Sequence, residues 1–249
     1  MPKQPLCILC FGNSLTAGYP PGQPYAEKLK EKLEAALQGH SFSRVEYEVD
    51  GVPGDLVTTG SFVDRMRANW KREPYDWTIV LGGTNDLGWG RGVDDIVAGL
   101  KRTWDIPLNQ GGKVLALTIP DTRAKFRDVQ ERRDNVNKAI KEYRKKNFFY
   151  FDLNKAVPYH DMAPEDRPKY WNRDGVHLTA DGYNLMGEKI AEELVRITKL
   201  AEAQETEISN IVTDAGQRRA IEELIFEEER GNPRLLSQGY IVVRKTDLD

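Results

Sequence analysis

Short apolar runs alternate with amphipathic stretches along most of the chain. Leu6 to Phe11 is a continuous apolar run that stops at Gly12, as expected of a buried strand entering a turn. From Tyr25 to Leu37, Leu29, Leu33 and Leu37 fall four apart among Lys and Glu, which is helical spacing. Arg44 to Val49 alternates and is rich in β-branched residues, and so reads as a strand. Val57 to Trp70 predicts a helix. Trp77 to Leu81 and Lys113 to Leu117 are apolar runs of the kind covered on both faces of a sheet. Helices are expected over Asp94–Ile106 and Phe126–Lys146, with a fifth strand at Phe148–Asp152. A long helix begins at Thr179, with Leu185, Ile190, Leu194 and Ile197 on its apolar face.

Five strands alternating with helices predict a flavodoxin-like three-layer αβα fold with a five-stranded, mostly parallel sheet. This domain is expected to span residues 1–199. Residues 200–249 are read as an extension: a Glu-rich helical stretch from Ala201 to Arg230 with a break near Asp214-Ala215-Gly216, and a strand at Gly239–Arg244. Apolar stripes at Ile208, Ile211 and Val212, and at Ile221, Leu224 and Ile225, call for a packing partner. Three outcomes are open for the extension: docking on the chain's own domain, a homodimer contact, or a disordered acidic tail.

Composition narrows the function classes. Of 249 residues, 30% are charged and the net charge is −3, so no basic excess suggests nucleic acid. No apolar run approaches the roughly 18 residues of a membrane span. The amino-terminal apolar stretch is too short for a signal peptide, and no asparagine lies in Asn-X-Ser/Thr, so a cytoplasmic location is expected. Cys7 and Cys10 have redox-pair spacing, but three residues along a strand put them roughly 10 Å apart. A disulfide needs Cα atoms within about 7 Å. Both are expected to be buried, reduced thiols.

The candidate chemistry sits at strand ends. Ser14 follows the first strand, Gly54 the second and Asn85 the third, while Asp174 and His177 lie in the loop before the last helix. Ser14 could simply cap a helix. Acyl transfer, however, needs this whole set: a hydroxyl with an adjacent base, a carboxylate to orient the imidazole, and donors where the oxyanion will form. The N–H groups of Ser14 and Gly54 and the Asn85 amide could supply three donors. Asp86 is read as structural, His40 as solvated, and His160 as a possible substrate contact. Trp89, Ile119 and Trp171 are candidate substrate-binding residues, although either tryptophan could serve only the core or the surface. The glycines around Trp89 would suit a moving loop.

Gly12-Asn13-Ser14-Leu15 resembles the GDSL block, Gly83-Thr84-Asn85-Asp86 the GxND block, Asp174-Gly175-Val176-His177 the DxxH block, and Gly54 the glycine block. Taken in order over residues 6–198, the chain resembles the SGNH (GDSL) hydrolase superfamily, especially its thioesterase- and lysophospholipase-like serine esterases. The resemblance implies an esterase with Ser14 as nucleophile, His177 as base and Asp174 as its partner. Gly54 and Asn85, with the Ser14 N–H, would complete the oxyanion hole. It implies a small-molecule ester substrate, thioesters being a further candidate class. The three histidines are scattered and no His/Asp cluster has metal-ligand spacing, so no metal or cofactor is expected. Asn13 departs from the family's more usual Asp and is expected to keep a local hydrogen bond.

Other readings compete. The α/β-hydrolase elbow G-x-S-x-G is absent, as are the P-loop and the dinucleotide fingerprint. A catalytically inactive flavodoxin-like binding or interaction module remains the alternative from another class.

Overall fold

The computed structural model describes residues 4–37 and 42–211, with side chains as far as Ala201. The first unit of the chain ends at Val195, and a second begins at Arg196.

The first unit is a parallel five-stranded sheet in the order β2-β1-β3-β4-β5. The strands are β1 (Leu6–Gly12), β2 (Val45–Gly51), β3 (Trp77–Leu81), β4 (Lys113–Leu117) and β5 (Phe148–Phe151). Every neighbouring pair is parallel. The fold class read from the sequence therefore holds. Between the strands lie α1 (Ser14–Ala17), α2 (Tyr25–Ala36), α3 (Gly60–Arg72), α4 (Thr84–Gly88), α5 (Val93–Asn109) and α6 (Arg127–Glu142). After β5 come α7 (Leu153–Ala156), α8 (Arg167–Tyr170) and α9 (Ala180–Ile211).

Strand alternation sends side chains to two cores. Leu9 and Phe11 join Phe62, Met66, Leu100, Trp104, Val136 and Ile140 beneath α3, α5 and α6. On the opposite face α2 and α9 lie together. A Cβ at Gly187 of α9 would stand 2.4 Å from the Tyr25 carbonyl oxygen, so only glycine permits that approach.

Element boundaries shift for identifiable reasons. Helix α3 begins at Gly60 rather than Val57: Val57 and Thr58 lie in a turn closed by the Thr59 N–H on the Leu56 carbonyl at 3.2 Å, and that turn is pinned by its own N–H groups on the Asp86 carboxylate. Helix α6 stops at Glu142 because Tyr143 turns extended, its ring packing on Trp104 and Phe148. Helix α9 runs on past Lys199 to Ile211. The expectations for His40 and for residues 212–249, including the strand at Gly239–Arg244, fall outside the described residues, as do the side chains of Ile208 and Ile211.

Both cysteines are free, but Cys7 is only partly buried, contrary to expectation. It lies near the start of β1, where Sγ is within 4.0 Å of Glu46 Oε2. Burial pushes the Cys10 thiol up to about 12. Among the described residues no helix is long and apolar enough to cross a membrane.

Candidate active site

Strands β1 and β3 are neighbours, and the chain leaves β1 to one side and returns to β3 on the other. The crevice at their carboxyl ends is the topological switch point where ligands bind in open α/β sheets. Ser14 and Asn85 enter from those two strands. Gly12 closes β1 beside Leu81, and a Cβ there would stand 2.3 Å from the Leu81 carbonyl oxygen. The chain can turn toward Ser14 so close to β3 because this residue has no side chain.

The helix cap after β1 is Asn13, not Ser14. Asn13 Oδ1 accepts the Leu15 N–H at 3.2 Å, the local bond expected of it. That leaves the Ser14 hydroxyl free of capping, as the first residue of α1. Its Oγ lies 2.9 Å from His177 Nε2, and His177 Nδ1 lies 2.7 Å from Asp174 Oδ2. The other carboxylate oxygen, Oδ1, accepts the N–H groups of Val176 and His177 at 2.8 and 2.9 Å. Burial raises the Asp174 carboxyl, but these two N–H groups and the imidazole outweigh it and hold the group below its ordinary range. The carboxylate is thus fixed by the backbone of its own loop, with one oxygen left for the imidazole.

That loop is anchored from outside. The Arg123 N–H donates to the Gly175 carbonyl at 2.7 Å, and Arg123 Nη1 donates to the Arg173 carbonyl at 2.9 Å. Gly175 has φ 71°, and a Cβ there would stand 2.3 Å from that of Arg123. The ring of Tyr19 stands edge-on to the His177 ring at 5.0 Å between centroids. Neither Arg123 nor Tyr19 carries a sequence signal. Each matters through a contact made by folding.

Asn85 lies in α4, and its Nδ2 donates to the Asp55 carbonyl at 2.9 Å, leaving the second amide hydrogen uncommitted. Gly54, one residue earlier, has φ 81° in the loop after β2. No hydrogen bond within the described residues uses its N–H. Nearby Gly51 ends β2 against α1, where a Cβ would stand 2.3 Å from the Ala17 nitrogen. Asp86 is fully buried and accepts Val57 N–H, Thr58 N–H and Thr58 Oγ1 at 3.0, 3.1 and 2.8 Å.

A cleft of about 380 Å³ opens beside Asn85 and Val176, with Trp89, Ile119, Phe126 and Arg133 among its walls. Trp89 and Phe126 are 75% and 68% exposed at its rim. The charge of Arg133 is already met by Asp121 at 2.8 Å. Trp171 is not brought to this cleft. It is buried, donates Nε1 to the Pro158 carbonyl at 3.2 Å, and borders a small apolar void with Leu15 and Met186. His160 packs on Tyr159, does not line the cleft, and makes no hydrogen bond to Ser14 or His177. Among the described residues no group of three or more His, Cys, Asp or Glu side chains is placed to hold a metal ion.

Residues 10–185 match the model of the GDSL-like lipase/acylhydrolase family. The chain belongs to this family. Its members are ester hydrolases, and the GDSL recognition from the sequence is correct. The chain is 27% identical over 214 residues to a multidomain esterase of Ruminococcus flavefaciens. The match covers 80% of this chain and 26% of that protein, so the chain spans about a quarter of that relative's length. Among solved structures, the fold is similar to the lipase/acylhydrolase from Enterococcus faecalis, with a TM-score of 0.60 and 22% identity. That match covers 77% of this chain and 95% of the other. The fold also resembles a carbohydrate esterase family 3 protein from Talaromyces cellulolyticus, with a TM-score of 0.59 and 16% identity over 78% of this chain and 98% of the other. Within the GDSL family fold, the loop before α9 brings the His177 imidazole to the Ser14 hydroxyl at the end of β1.

Proposed function

We propose that the chain hydrolyses carboxylic esters of small molecules through an acyl-enzyme on Ser14. The observation that carries this reading is the hydrogen-bonded line from Asp174 through His177 to Ser14 Oγ. Ser14 Oγ attacks the carbonyl carbon while His177 Nε2 takes its proton. The carbonyl oxygen gains negative charge beside the Ser14 and Gly54 N–H groups and the free Asn85 amide hydrogen. Collapse breaks the bond to the alkoxy oxygen, which leaves as the alcohol with the proton from His177. Water then attacks the acyl-serine carbonyl as His177 takes its proton; collapse breaks the bond to Ser14 Oγ, the imidazolium returns the proton to that oxygen, and the carboxylic acid departs. Asp174 stays ionised throughout and stabilises the imidazolium. A thioester would follow the same course with a thiol leaving. The cleft walled by Trp89, Ile119 and Phe126 is the proposed seat of the substrate's apolar part.

Ser14→Ala is expected to abolish hydrolysis of a short p-nitrophenyl ester and covalent labelling by a fluorophosphonate, with the fold retained by circular dichroism. Undiminished turnover in the variant would sink the assignment. A wild-type chain that neither hydrolyses esters nor takes the label would instead be a binding module.

A further inference from the structure

Arg65 projects from α3 and uses all five of its N–H donors. Nε and Nη2 donate to Asp55 Oδ2 at 3.1 and 3.0 Å. Nη2 also donates to the Gly12 carbonyl at 2.9 Å. Nη1 donates to the Asp50 carbonyl at 3.2 Å and to Asp50 Oδ1. The guanidinium lies over the ring of Phe11, 4.5 Å from its centroid, with Phe62 at 5.4 Å. One side chain therefore ties together three separate pieces of chain. Gly12 lies two residues before Ser14, Asp50 is near the end of β2, and Asp55 follows Gly54. Asp55 is engaged from both ends, since its backbone carbonyl accepts Asn85 Nδ2. The path from the nucleophile's turn to the loop of Gly54 and to the Asn85 amide runs through Arg65.

We infer that Arg65 is a positioning residue of the oxyanion hole, holding the Gly54-Asp55 loop and, through the Asp55 carbonyl, the Asn85 amide in register with Ser14. This rests on the reading of Ser14 and Asn85 given above. The physical ground is the steep dependence of catalysis on geometry, where a 1 Å misplacement by a remote group costs about 100-fold. A lysine keeps the charge but has three donors on one atom and cannot reproduce the planar fork of five donors that reaches four acceptor atoms on Gly12, Asp50 and Asp55.

The test compares Arg65→Lys, Asp55→Asn and, as a stability control on the same helix, Trp70→Phe in the full chain; Trp70 Nε1 donates to Thr78 Oγ1 at 3.1 Å and takes no part in the Arg65 network. Steady-state ester hydrolysis, thermal stability and affinity for an alkyl boronic acid that mimics the tetrahedral adduct are measured for each. Arg65→Lys is expected to lower kcat by about 10–100-fold with KM unchanged, and to weaken the boronate in step. Asp55→Asn should lower kcat in the same manner. Trp70→Phe should lower the melting temperature and leave kcat near wild type. Wild-type kcat in folded Arg65→Lys, or a loss confined to KM, would overturn the proposal. So would equal effects of Asp55→Asn and Trp70→Phe on kcat, a comparison that decides the matter even if Arg65→Lys fails to fold. Activity surviving Ser14→Ala would instead refute the underlying mechanism, whatever the Arg65 variants do.

Discussion

Two residues at the site make separable contributions. Asn85 donates one amide hydrogen to the Asp55 carbonyl, which orients the other. Asn85→Ala is expected to lower kcat by about 10²–10³-fold, more than it raises KM, as for other side-chain oxyanion donors. Steady-state kinetics check this, and a change confined to KM would make Asn85 a ground-state contact. Asp174 is held below the ordinary carboxyl range, so it contributes stability above that range, and the contribution is lost as pH falls through the depressed folded value. Thermal melts between about pH 5 and pH 2 should therefore fall less steeply in Asp174→Asn than in the wild type. Parallel curves would mean that the bonds to Val176 and His177 carry no such linkage. The sequence pointed to Ser14, Asn85, Asp174 and His177 because each sits at a strand end or loop in a recognisable block. Arg65, Arg123 and Tyr19 were silent, because an arginine on the polar side of a helix and a tyrosine in a loop look the same whether or not they touch a site.

Strands were readable because a parallel sheet covered on both faces demands unbroken apolar runs, and Trp77–Leu81 and Lys113–Leu117 supply them. Helix ends were not, since they were set by partners distant in sequence. Asp86 pins the turn that precedes α3 through two N–H groups, and Tyr143 leaves α6 to pack on Trp104. The end of β4 depends on a similar long-range bond. Buried Asn137 of α6 accepts the Ile119 N–H at 2.7 Å and donates to the Ile119 carbonyl at 2.9 Å. Asn154 also donates to that carbonyl, so it keeps a partner if Asn137 is lost. The N–H does not. Asn137→Leu is expected to cost about 1–3 kcal/mol by orphaning the Ile119 N–H, measured by urea unfolding. It should also perturb the cleft wall that Ile119 forms, and an unchanged midpoint would show that the bond is replaced without loss.

At the scale of the whole chain, Ser14, Gly54, Asn85, Asp174 and His177 all fall in the unit that ends at Val195. A chain ended at Lys199 is expected to keep its kcat/KM toward a short ester. Soluble, folded protein of that length with a large loss of turnover would place part of the working site in residues 200–249. This boundary was drawn from a change in composition. Helix α9 passes through it unbroken to Ile211, because Glu, Ala and Lys favour helix on either side of residue 199.

The order of apolar runs was enough to determine a parallel αβα sheet, and the order of the motif blocks was enough to determine the GDSL family. Both are properties of linear spacing, which burial and strand-end chemistry impose directly on the chain. The tertiary structure alone decided which residues meet: Trp171 in the core rather than the cleft, Phe126 at the rim, and Asn13 as the cap that leaves the Ser14 hydroxyl to the imidazole. It also joined Gly12, Asp50 and Asp55 through one guanidinium. Such contacts bring together residues separated by 10, 15 and 53 positions. They depend on distances that close only when the strands pair, and no local pattern in the chain records them.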